Sequence, residues 1–141
     1  IWINNNAKVG IGIVDVDEIE RINILNATFK AMHLAIENLE FKPDILLIDG
    51  NQFKDNGIKY ETIIKGDSIS YSIAAASIIA KVSRDRIMDE YHKKFPNYNF
   101  NKNRGYATKS HFDAISKFGV CDIHRLFFLR KFQQKQYSMF D

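Results

Sequence analysis

The chain has 141 residues, 20 lysines and arginines against 17 aspartates and glutamates, and a formal net charge of +3. With 45% apolar residues it can bury the core of one domain, and no apolar run reaches membrane-spanning length. A single cysteine, Cys121, excludes an internal disulfide and suits a reducing, cytoplasmic setting, while the mild basicity permits a nucleic-acid partner without requiring one.

In chain order, Asn4, Asn5 and Asn6 read as a polar turn, and residues 9–14 as a hairpin-like strand. Asp15 and Asp17 are good helix-start residues. The apolar positions Ile22, Leu25, Phe29, Met32, Ile36 and Leu39 recur in steps of three and four, giving one face of an amphipathic helix that ends before Pro43. A strand over residues 45–48 follows, then a polar loop over 51–57 and a strand over 60–64. Residues 72–95 read as a helix stopped by Pro96, with small residues on one side and Lys81, Arg84 and Arg86 further along. Residues 97–104 have no usable period and read as a loop. Thr108 caps a helix through Lys117, with Gly119 as its stop. The last stretch is basic and then Gln-rich. Helices alternating with strands predict an α/β fold.

The two apolar runs each lead to a carboxylate beside a glycine: Gly50 follows Asp49, and Gly66 precedes Asp67. An acid at the C-terminal end of a strand stands at the rim where open α/β sheets build sites. Two such acids from neighbouring strands can converge on a hard divalent cation, which takes carboxylate oxygens. On these residues alone, Asp49 reads equally as a turn residue and Asp67 as a helix cap. Lys81 and Arg84 can line a cleft and meet phosphates, or form a solvated face. Tyr106, between Gly105 and Ala107 and near Arg104 and Lys109, is either a ring held out for stacking or a core residue with a wet hydroxyl. The four histidines, His33, His92, His111 and His124, have no zinc-site spacing.

Taken together, Asp49-Gly50-Asn51, then Lys65-Gly66-Asp67-Ser68, the run from Ser72 to Arg86, the run from Arg104 to His111, and Ile123-His124-Arg125 resemble the bacterial ribonuclease HII family. The resemblance extends from about Val9 to Phe128, with blocks in order and properly spaced. Gly105-Tyr106 followed by Thr108-Lys109 looks like type HII rather than the related type HIII. The resemblance implies a ribonuclease H-like mixed sheet with flanking helices. It also implies cleavage of the RNA strand of RNA–DNA hybrids, and cutting 5′ to ribonucleotides embedded in duplex DNA, by two-metal catalysis with Mg²⁺ or Mn²⁺. Asp49 and Asp67 match the third and fourth metal-binding acids of the family, and Tyr106 matches a tyrosine that packs beside the RNA–DNA junction. The first two acids, an Asp-Glu pair on an opening strand followed by a Gly-Arg-Gly loop, have no counterpart here. The chain is therefore expected to be the C-terminal portion of such an enzyme, to lack the first strands of its sheet, and to be inactive alone. Residues 1–131 would form a partial ribonuclease H-like domain and 132–141 a tail. The alternative is a non-catalytic nucleic-acid-binding or scaffold domain that keeps the fold.

Gln136-Tyr137-Ser138-Met139-Phe140 resembles the pentapeptide by which bacterial repair proteins bind the sliding clamp. In that reading Gln136 bonds at a pocket rim, and Met139, a soft substitute for leucine, fills an apolar cleft with Phe140. Tyr137 stands where the pentapeptide has leucine. A tail that docks on its own domain through Phe140 is the other reading.

Overall fold

The computed structural model describes residues 2–130. They fall into two compact units: residues 2–7 with 43–121, and residues 8–42 with the stretch from 122.

In the first unit, Trp2–Asn6 forms one helical turn, α1, where the three asparagines predicted a polar turn. Asn6 turns its side chain back to donate to the Trp2 carbonyl at 2.8 Å, so the polar side chains support the turn's own backbone. The predicted strands form as β1 (Leu46–Asp49) and β2 (Tyr60–Ile63). They pair in parallel, with Leu46 opposite Tyr60 and Asp49 opposite Ile63. Leu46 and Ile48 are buried while Leu47 and Asp49 are exposed, the two-residue alternation of a strand covered on one face. The Gly50 amide donates to the Ile63 carbonyl at 3.0 Å, carrying the ladder one residue beyond β1.

After β2 the chain does not run extended to Asp67. Lys65 adopts a left-handed conformation (φ 56°), and Gly66–Ser68 forms a 3₁₀ turn. Helix α3 (Tyr71–Lys94) follows and stops at Pro96, as its proline dictates. Of residues 97–104, expected as a loop, those at 97–98 and 100–103 are instead helical. A 3₁₀ turn (Pro96–Tyr98) leads through left-handed Asn99 into α4 (Phe100–Asn103). The aromatic residues that obscured any period are the reason. Tyr98 and Phe100 are buried and stacked with ring centroids 5.6 Å apart. The His111 ring meets Phe100 edge-on at 5.4 Å, and the Tyr98 hydroxyl donates to the Gly119 carbonyl at 3.0 Å. Helix α5 (Lys109–Phe118) starts at Thr108, whose Oγ1 accepts the His111 amide at 3.3 Å, and ends at Gly119 with φ 79°. This is the start and stop the sequence predicts.

The second unit is built on α2 (Val16–Glu37). Asp15 caps it, accepting the Glu18 amide at 2.8 Å, which leaves Asp17 in the first turn. Asn23 breaks the helix (φ 68°, ψ 165°), and its Oδ1 accepts the amides of Leu25 and Asn26 at 3.0 and 3.1 Å. It thus acts as an internal N-cap for the second segment. Of the predicted apolar stripe, Leu25 is exposed and Ile22, Phe29, Met32, Ile36 and Leu39 are half-buried. Ala27 is the residue α2 buries. Residues 9–14 are not a strand among the described residues. They lie against α2, where Cβ atoms at Gly10 and Gly12 would collide with the backbone carbonyls of Ala35 and Ala31. Asn38 donates to the Ile11 carbonyl at 2.8 Å. A helix surface offers no ladder, so an extended segment that packs on one is not paired as a strand. Residues 126–130 are helical, and Glu20 accepts the Phe127 amide at 3.0 Å.

Candidate functional site

The two acids meet through the glycine between them. β1 delivers Asp49 to the C-terminal rim of the parallel pair, and its Oδ1 accepts the Gly66 amide at 2.9 Å. Gly66 immediately precedes Asp67, so the 3₁₀ turn that holds Asp67 is seated on the Asp49 carboxylate. The seat is tight: Gly66 is buried, and a Cβ there would stand 2.5 Å from Ile73 Cδ1 of α3. Both carboxylates are exposed. Asp67 Oδ1 also lies 3.5 Å from the Ser68 hydroxyl. A carboxylate has several acceptor directions, so one hydrogen bond leaves Asp49 able to bind a cation. An oxygen-only donor pair suits Mg²⁺ or Mn²⁺ better than a soft metal. No group of three or more His, Cys, Asp or Glu side chains is gathered for a metal among the described residues.

A second cluster forms where α3 meets the turn after α4. The Tyr106 ring is 66% exposed, and the Arg84 guanidinium lies over it, 5.9 Å from the centroid. That is an attractive cation–aromatic geometry. Arg84 also donates to the Arg104 carbonyl at 3.2 Å. The Tyr106 carbonyl is 2.9 Å from His111 Nδ1, so the loop is tied to α5 as well. Lys81 stands one turn before Arg84 and pairs with Asp85 at 3.0 Å on an exposed face. At ~1.5 Å rise per residue, Lys81 and Arg84 lie about 15 and 20 Å along α3 from its first residue. The structure therefore brings Asp49 to Asp67, and Arg84 to Tyr106. Gln136, Met139 and Phe140 lie outside the described residues.

Sequence reasoning treated Arg104 as a flanking cation and passed over Asp85 and Asp89. Arg104 Nη1 donates to the Asp85 carbonyl at 2.8 Å and pairs with the Asp89 carboxylate, while Nε lies 3.8 Å from Asp85 Oδ1. The available signal was two aspartates four residues apart on one helix face, with the arginine beyond a turn.

No helix among the described residues is long and apolar enough to cross a membrane. The family model described as Ribonuclease HII matches residues 3–133. Curated relatives named Ribonuclease HII include proteins from Acetivibrio thermocellus, 56% identical over 92% of this chain and 51% of the relative, and Caldanaerobacter subterraneus, 58% identical over 86% and 51%. Another, from Syntrophus aciditrophicus, is 52% identical over 91% and 60%. The chain thus spans about half the length of the first two and 60% of the third. Since the family model takes in nearly the whole chain and these relatives are 52–58% identical over most of it, this protein belongs to the ribonuclease HII family.

Proposed function

We propose that this chain forms part of a cytoplasmic endonuclease that hydrolyses the RNA strand of RNA–DNA hybrids and cuts 5′ to ribonucleotides embedded in duplex DNA. The observation that carries the reading is the hydrogen bond from the Gly66 amide to Asp49, which joins two exposed acids at one sheet rim. Asp49 and Asp67 would hold divalent cations, Mg²⁺ or Mn²⁺, which would supply water activation and neutralise charge at the phosphate. Asp49 takes its place from β1, and Asp67 takes its place from the turn that Asp49 seats. Lys81 and Arg84 would meet phosphates and fix the duplex's position without reading its sequence. Tyr106 would stack on a sugar or base beside them. In this reading the two strands belong to a larger ribonuclease H-like mixed sheet, and residues 1–131 to one partial domain with 132–141 as a tail.

The test is cleavage of a short duplex carrying one ribonucleotide, by this chain completed to the length of its relatives. Asp49→Asn and Asp67→Asn should each abolish Mn²⁺-dependent cutting while circular dichroism stays unchanged. Near-normal turnover by both variants would sink the metal assignment. Binding without cleavage by the unmutated protein would favour a non-catalytic domain. For the tail, a labelled peptide of residues 132–141 should bind a bacterial sliding clamp saturably, and lose that binding in Gln136→Ala, Phe140→Ala. No saturable binding at tens of micromolar removes the clamp as a partner.

A further inference from the structure

Arg104 is an arginine in the left-handed region (φ 52°), followed by Gly105 at φ 77°. A non-glycine residue in that region is strained and persists when its surroundings over-determine it. Here they do. The Arg104 amide donates to the Phe100 carbonyl at 2.9 Å. Its side chain reaches back to α3, where Nη1 bonds both the Asp85 carbonyl and the Asp89 carboxylate and Nε faces Asp85 Oδ1. Its carbonyl accepts from Arg84, the same arginine whose guanidinium covers Tyr106. Two residues on, the Tyr106 amide donates to the Asn103 carbonyl at 2.8 Å. These side-chain contacts all go to α3, so Nη1 and the Nε edge of the guanidinium are engaged within the protein.

We infer that Arg104 is a positioning residue: by clamping the turn to Asp85 and Asp89 it sets the Tyr106 ring against Arg84, so that ring and cation meet a nucleic acid as one unit. This deepens the nucleic-acid reading above and rests on it. The clamp sets two nitrogens of one plane against α3, Nη1 on the Asp85 carbonyl and Asp89 and Nε facing the Asp85 carboxylate, an arrangement that the single nitrogen of a lysine does not reproduce. A phosphate contact, by contrast, would survive the change to lysine.

Two measurements on the 141-residue chain decide it. First, without nucleic acid, ring-¹³C-tyrosine spectra report Tyr106, assigned by its loss in Tyr106→Phe. Arg104→Lys and the double variant Asp85→Asn, Asp89→Asn should both move that signal and speed hydrogen exchange at the Tyr106 amide. Circular dichroism should stay unchanged. Second, fluorescence anisotropy gives affinity for a duplex with one ribonucleotide. Arg104→Lys should weaken binding about three- to tenfold in the parent, and by nothing further in a Tyr106→Ala background, the signature of coupled residues. Unmoved Tyr106 signals in Arg104→Lys overturn the inference. So does parental affinity in that variant, or the same loss in the Tyr106→Ala background. If Tyr106→Ala binds as the parent does, the stacking role in the proposed function fails instead, and the ring spectra alone decide whether Arg104 sets the loop.

Discussion

Asp49 is at once a candidate ligand and the acceptor that holds Gly66, and substitutions separate the two roles. Asparagine keeps an oxygen for the Gly66 amide, so Asp49→Asn should stay within a few tenths of a kcal/mol of the parent in urea unfolding. Asp49→Ala removes the acceptor and should cost about 1 kcal/mol. Equal stability of both would mean that the bond does not organise the turn. Tyr106 permits a similar separation. Its exposed ring should contribute about 1–3 kcal/mol to duplex binding, lost in Tyr106→Ala and largely kept in Tyr106→Phe; anisotropy titrations check both. The place of Asp49 at a strand end was legible in the sequence because it closes an apolar run beside a glycine, whereas the 3₁₀ turn that carries Asp67 beyond β2 was not. Nor was Arg104, because its role rests on Asp85 and Asp89, which come together with it only when the chain folds back on α3.

Among elements, α2 and the segment before it carry two consequences. Gly10 and Gly12 share one face of an extended segment, as residues two apart do, and both abut helix carbonyls, which cannot swing aside as a side-chain tip can. Gly12→Ala should therefore destabilise by about 2 kcal/mol or more, while Gly57→Ala, at an open loop position with φ 82°, meets no such contact and costs only the strain of a left-handed alanine, about 1 kcal/mol. Thermal unfolding of the two variants gives the comparison. Glu18 binds Lys30 across the Asn23 break at 2.6 Å and Arg21 within its own helical segment at 2.7 Å. These hydrogen bonds, Lys30's first, hold its carboxyl below the ordinary 4.5. As pH falls the unfolded chain takes up this proton before the folded one does. The stabilisation is thus whole above about pH 4.5 and is lost as pH drops through the lower folded value. Glu18→Gln should be less stable than the parent near pH 6, and the gap should close toward pH 3. Periodicity revealed α2 and its cap. It could not reveal that residues 9–14 lie against a helix instead of a strand, because apolar alternation records burial on one side and not the identity of the neighbour.

For the molecule as a whole, no group of three or more His, Cys, Asp or Glu side chains is gathered for a metal among the described residues, and the chain spans about half of its relatives from Acetivibrio and Caldanaerobacter. A cation held by two carboxylates is loosely placed, and misplacement of about 1 Å can cost roughly a hundredfold in rate. The 141-residue chain alone should therefore show no Mg²⁺- or Mn²⁺-dependent cleavage of a ribonucleotide-containing duplex, assayed at enzyme excess; cutting by the pure chain would overturn this. In the first unit, Ile45, Leu47, Ile64, Ile69 and Tyr71 are exposed near the paired strands and the turn after them. An apolar surface of that kind usually has a partner, and it explains why composition alone gave a sound estimate of class but not of how much core these residues enclose by themselves.

The seating of Gly66 on Asp49 also governs where the chain can change length. Residues 51–57 are mostly exposed and connect two strands already in register, so an added residue there lengthens a loop at a cost that grows only slowly with its size. Between Ile63 and Gly66 the spacing is fixed. One inserted residue withdraws the amide from Asp49 and swings Asp67 off the rim. Insertion scanning across 50–67 should show a tolerant stretch followed by an intolerant one, with the boundary falling at β2.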